Sequence, residues 1–126
     1  MKPYFRLIIL LFSSILYASI VFAQNSGRIN FDKGRSSTVI KGTVNGNTKN
    51  ADSTCNDYLV KAKAGQTLRV KVTAKAFLLI QSPTDLAVDE GVNDSVSKLE
   101  ETGDYKIQVC NSTSRKLSYT LSLSVK

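Results

Sequence analysis

The chain has 126 residues, with 17 lysines and arginines against 10 aspartates and glutamates, a formal net charge of +7, and no histidine. Lack of any imidazole removes the usual general base for serine or cysteine nucleophiles, and no phosphate loop, dinucleotide glycine fingerprint or zinc-ligand set is present. The basic balance favours acidic partners, while the sparse aromatics argue against nucleic acid, which needs stacking surfaces as well as charge.

At the N-terminus, Lys2 and Arg6 precede an apolar run from Leu7 to Phe22, and Val21-Phe22-Ala23 stands before Gln24. This pattern is read as a secretory signal peptide over residues 1–23. The run falls short of the ~20 apolar residues of a membrane-spanning helix, and Ser13 and Ser14 interrupt it, so no membrane attachment is expected after cleavage. The remainder, 24–126, has 126 − 23 = 103 residues and a net charge of (17 − 2) − 10 = +5, which suits one exported domain, periplasmic or secreted.

In the exported part, Arg28 to Phe31 reads as a short strand with Ile29 and Phe31 inward, followed by turn chemistry from Asp32 to Ser37. Thr38 to Asn45 alternates, with Ile40, Gly42 and Val44 on one side; a glycine at 42 inside a strand predicts a bulge or a close approach by another backbone. Asn45 to Asn56 (NGNTKNADSTCN) has no apolar run and is expected to be a long polar loop, a natural place for a binding surface.

The clearest pattern is Asp57 to Ala74, DYLVKAKAGQTLRVKVTA. Tyr58, Val60, Ala62 and Ala64 share one parity; after Gly65, Leu68, Val70, Val72 and Ala74 do the same. The period of two reads as a β-hairpin with an apolar face and a basic face carrying Lys61, Arg69 and Lys71. Pairing within one sheet would set Lys61 across from Arg69 or Lys71, a like-charge contact that disfavours the pair by ~0.2–1 kcal/mol and suits a basic face held for an anionic envelope polymer.

Farther on, Phe77 to Ile80 is an apolar run short enough for a buried strand, ended by Pro83. Asp85, Asp89, Glu90 and Asp94 surround Gly91 in a stretch read as a solvated acidic loop, since its spacing does not match the twelve-residue calcium loop. Leu86 and Val88, then Val96 and Leu99, suggest two further short strands. Tyr105 to Val109 and Leu117 to Val125 alternate regularly, and between them Asn111 to Lys116 forms a polar tip bearing Arg115 and Lys116.

Two cysteines in an exported chain, Cys55 and Cys110, argue for one disulfide, provided that the strands beginning near 58 and ending near 109 are antiparallel neighbours. No stretch has a helical period of useful length. About 7–9 short strands, each apolar on one side, require two sheets face to face, an all-β antiparallel sandwich. No catalytic residues, metal or cofactor are implied, and the chain is not read as an enzyme.

Four stretches resemble the bacterial periplasmic inhibitors of g-type lysozyme: INFDKGRSSTVIKGTVNG (Ile29 to Gly46), DYLVKAKAGQTLRVKV (Asp57 to Val72), TGDYKIQV (Thr102 to Val109) and RKLSYTLSLSV (Arg115 to Val125). In order and spacing they are similar to that family's Phe-x-x-Gly-x-Ser-Ser opening, Gly-x-x-x-Gly strand, Ala-Gly-Gln turn and Gly-x-Tyr strand, motifs shared loosely with other exported β-sandwich modules. The resemblance implies a lysozyme, g-type first, as partner, bound by loops that enter its substrate cleft. Arg115 and Lys116 fall at the family's basic loop before the last strand, and Asn45, Gly46 and Asn47 are the candidate second loop. The aromatic stretch that relatives tend to carry after Gly-x-x-x-Gly is replaced here by Asn47 to Asn56, which holds no aromatic residue.

Overall fold

A computed structural model describes residues 22–31, 33–47, 54–73 and 75–126. The expected signal peptide therefore lies, up to residue 21, outside the described residues, as do Asp32 and the middle of the polar loop, 48–53.

The described chain forms ten strands and no helix: β1 (Phe22–Ala23), β2 (Gly27–Ile29), β3 (Ser37–Val44), β4 (Thr54–Ala62), β5 (Thr67–Val72), β6 (Phe77–Gln81), β7 (Ala87–Val92), β8 (Asp94–Lys98), β9 (Gly103–Asn111) and β10 (Leu117–Val125). They make two five-stranded sheets, ordered β1-β3-β10-β5-β8 and β2-β4-β9-β6-β7. Only β1/β3 and β2/β4 pair in parallel; all other neighbours are antiparallel. The expected sandwich is thus present, with nine of its strands beyond residue 23.

The alternation read from sequence sets the core. Ile40, Val44, Leu68, Val70, Val72, Tyr119, Leu121 and Leu123 point inward from the first sheet, and Tyr58, Val60, Ala62, Leu78, Ile80, Tyr105, Ile107 and Val109 from the second. Each strand buries every second residue because successive side chains alternate across the pleat.

The central hairpin is corrected. β4 and β5 lie in different sheets, and Lys63 to Gln66 carries the chain across the core with Gly65 at φ +90°. Gly65 N–H donates to the Leu99 carbonyl and Leu99 N–H to the Gln66 carbonyl, both at 2.8 Å, which fastens the crossing. Alternation shows which side of a strand is apolar, but two apolar sides can share one sheet face or oppose each other across a core. Here they oppose. Lys61 accordingly pairs with Asp104 on β9, while Arg69 stands between Ser124 and Val96, and Lys71 between Ser122 and Asp94. Lys61, Arg69 and Lys71 form no common face, and the predicted like-charge pair does not occur. The connection between β9 and β10 crosses between sheets in the same way.

Other boundaries shift. β4 begins at Thr54, so Cys55 sits inside it and directly opposite Cys110 on β9, to which it is disulfide-bonded. Asp89 and Glu90 lie in β7 and Asp94 in β8, so the acidic stretch is mostly strand; Asp89 accepts hydrogen bonds from Ser95 Oγ (2.7 Å) and Glu90 N–H (3.0 Å). Among the described residues no three His, Cys, Asp or Glu side chains gather as a metal site would require. The two short strands expected around Leu86 and Val88 and around Val96 and Leu99 are β7 and β8, with Leu86 and Leu99 just outside their ends and Leu86 and Val96 exposed.

Candidate functional site

The residues singled out in sequence meet at one end of the sandwich because β3 and β10 are antiparallel neighbours. Val44, which ends β3, is in register with Leu117, which begins β10, so Asn45 to Asn47 and Ser112 to Lys116 leave the same edge side by side. Asn47 N–H donates to the Thr113 carbonyl at 2.8 Å. Gly46 lies so close to the Ser114 carbonyl that a Cβ added there would overlap it, which explains a glycine at that point.

The joint between the two segments is Asn111, the last residue of β9 and 0% exposed. Its Nδ2 donates to the Asn45 carbonyl (3.1 Å) and to the Arg115 carbonyl (2.7 Å), while its Oδ1 accepts from Thr113 N–H (2.9 Å) and stands 2.7 Å from Thr113 Oγ1. Both amide protons are used, on one carbonyl from each segment. Thr113 Oγ1 is also 3.0 Å from the Arg115 carbonyl. The disulfide one residue earlier ties the same end of β9 to β4.

Arg115 and Lys116 are exposed, and among the described residues neither side chain has an ion pair or hydrogen bond. Their backbone is held while their charged groups project into water, an arrangement that reduces the ordering a contact would otherwise require. An arginine so placed can engage a carboxylate with two parallel N–H···O bonds, and the lysine adds a second, less directional positive charge. Asn45 is exposed as well, and Gly46 and Asn47 are half-buried against the other segment.

The alternative basic residues are separated. Lys61 lies on the second sheet next to an ion pair in which Arg28 Nη1 and Nη2 each stand 2.8 Å from an oxygen of Asp104. Hydrogen bonds from Arg28 hold the Asp104 carboxyl below its ordinary range, and the charges of Arg28 and Lys61 act in the same direction. Arg69 and Lys71 lie on the outer face of the first sheet.

Sequence reading missed Asn111, although its signal was available. In Asn111-Ser112-Thr113 the amide accepts from the N–H two residues on, the Asx turn that asparagine favours. It also missed the polar link inside the core. The hydroxyls of Tyr58 and Tyr119 are hydrogen-bonded to each other; Tyr58 donates to the Gln24 carbonyl at 2.5 Å, and Asn56 Nδ2 donates to Tyr119 Oη (3.0 Å) and the Thr43 carbonyl (2.8 Å). Burial, then the bond to Tyr119, push the Tyr58 phenol well above its ordinary pKa. The close approach expected at Gly42 is made here: a Cβ on it would come within 2.6 Å of Tyr119 Oη and 2.8 Å of the Gln24 carbonyl.

No protein-family model and no curated protein sequence matches the chain. Solved structures do, among them the following three. The periplasmic inhibitor of g-type lysozyme (PliG) of Aeromonas hydrophila superposes with a TM-score of 0.66 at 22% identity, over 84% of this chain and 99% of that one. A mutant of the Escherichia coli inhibitor of the same description gives 0.60 at 20% identity, over 80% and 97%. The Salmonella Typhimurium inhibitor gives 0.59 at 18% identity, over 82% and 99%. The sandwich described above is the fold of those proteins.

Proposed function

We propose that this chain is an exported, non-catalytic inhibitor of lysozyme, g-type first, which blocks the enzyme's cleft with the paired segments 45–47 and 112–116. A muramidase cleft accepts an anionic glycan and carries a catalytic carboxylic acid. Arg115 reaches that carboxyl, Lys116 adds positive potential at the cleft mouth, and Asn45 to Asn47 braces the entry from the side.

The observation that carries this reading is that Asn111 fastens both segments into one projecting cationic edge, with the Arg115 and Lys116 charges left unpaired among the described residues. The shared fold supports it, because the superposed proteins are described as periplasmic lysozyme inhibitors. Export follows from the N-terminal segment, with cleavage after Ala23 and a periplasmic destination. Lysis of cell-wall suspensions by g-type, chicken-type and invertebrate-type lysozymes, each mixed with the purified protein, tests the proposal. Near-stoichiometric inhibition of the g-type enzyme is expected, and inhibition of none of the three would refute it.

A further inference from the structure

The outer face of the first sheet carries a second basic site, at the far end of β10 from the loop edge. From Leu117 to Ser124 the strand advances seven residues, about 23 Å at the usual rise. There, a groove of about 340 Å³ is lined by Arg35, Arg69 and Lys71, with Ser37, Ser122 and Ser124 along its floor. Strand register builds it in rows: Ser37, Ser124 and Arg69 lie side by side on β3, β10 and β5, and Val39, Ser122 and Lys71 form the next row. Lys41 and Thr120 continue the same face one row on.

The cations of this groove form no ion pair among the described residues. Among the described residues the ion pairs, Arg28 with Asp104 and Lys106 with Asp57, lie on the other sheet, and no carboxylate lines the groove. Asp94 stands opposite Lys71 from β8 without reaching ion-pair distance. Arg69 and Lys71 are two residues apart on one strand and so project from the same face about 7 Å from each other. Like charges held that close repel, and a bound polyanion would relieve the repulsion.

The hydroxyls beside the cations favour one kind of polyanion. Serine hydroxyls donate and accept at short reach, which matches sugar hydroxyls. No aromatic ring lines the groove, so it lacks the stacking surface on which bases bind. Nor does it present the aromatic anchor pocket typical of a protein hot spot. We propose that this groove binds a segment of a carboxylated polysaccharide, its carboxylates on Arg35, Arg69 and Lys71 and its hydroxyls on Ser37, Ser122 and Ser124. This site is separate from the lysozyme-blocking edge and does not depend on it.

Calorimetric titration of the purified protein with a galacturonate hexamer, at low salt, tests the assignment. Saturable binding is expected, weakened about tenfold or more in the Arg69→Ala/Lys71→Ala variant, because charge-assisted bonds are lost. Ser122→Glu, which removes no cation and sets a carboxylate in the floor, should weaken it as well. Lys106→Ala, on the other sheet, should leave it within about twofold, its charge being distant and screened. Cellohexaose and inorganic phosphate should bind far more weakly than the hexamer. Absence of saturable binding, equal loss from Lys106→Ala, or equal binding of the neutral chain would overturn the proposal. The Arg69→Ala/Lys71→Ala protein should still inhibit lysozyme like the parent, whereas Arg115→Ala should bind the hexamer normally, so the two sites fail separately.

Discussion

Tyr58 on β4 and Tyr119 on β10 share a hydrogen bond between their phenol oxygens, joining one sheet of the sandwich to the other. Tyr58 is 0% exposed, and its hydroxyl is also bonded to the Gln24 carbonyl. Buried hydroxyls retain their place in a core only with partners, and here the partners come from three separate segments.

That link gives the fold an alkaline limit. Burial and the bond to Tyr119 raise the Tyr58 pKa above its ordinary value of 10.0. In the unfolded chain the phenol ionises as pH passes about 10, whereas in the folded protein it stays protonated. The unfolded state then binds fewer protons, so the Tyr58 contribution is fully present below pH 10 and is lost as pH rises beyond it. Urea midpoints measured from pH 8 to pH 11 should fall at the alkaline end, and Tyr58→Phe should flatten that fall. The same substitution removes two hydrogen bonds and should lower stability at pH 8 by about 1–3 kcal/mol.

Asn111 should govern both stability and inhibition. Asn111→Ala leaves the Asn45 carbonyl without its side-chain donor and the Arg115 carbonyl with Thr113 Oγ1 in place of the amide, at a cost of about 1–3 kcal/mol. Because the two segments would lose their common support, the inhibition constant should worsen more than the urea midpoint alone would suggest. A variant that keeps full inhibition while losing stability would show that the joint only supports the fold.

The Cys55–Cys110 disulfide spans a sequence separation of 55 residues. In the loop-entropy account, its removal favours the unfolded chain by about 4 kcal/mol. Denaturation of the Cys55→Ala/Cys110→Ala protein should show that loss as a lower midpoint, and a change below ~1 kcal/mol would mean that β4 and β9 are held by their ladder without help.

The strand periods, most of the inward residues and the exposed Arg115 and Lys116 were legible in the chain, since each follows from alternation or local turn chemistry, and the disulfide followed from an even cysteine count in an exported chain. Ala64, which shares the apolar parity, is exposed because the chain has already left β4 there. Partnership between strands was not. The run Asp57 to Ala74 has the same parity pattern whether its halves pair within one sheet or face each other across a core, and only the long-range ladders β4/β9 and β10/β5 decide between them. Lys61 was thereby grouped with Arg69 and Lys71 although it belongs beside Asp104. Tyr58 and Tyr119 were readable as core residues but not as partners, because 61 residues separate them. Asn111 was hidden for a similar reason: its local Asx turn is visible, while the bond to Asn45 depends on the two loops meeting.

The central claim turns on the guanidinium of Arg115, so the direct measurement is the inhibition constant of Arg115→Ala against a g-type lysozyme, beside its urea midpoint. Truncating a charged group that is buried against a carboxyl in the complex costs about 2 kcal/mol or more, so inhibition should weaken by roughly thirtyfold or more while the midpoint of this exposed site stays unchanged. An Arg115→Ala protein that inhibits as tightly as the parent would contradict the account.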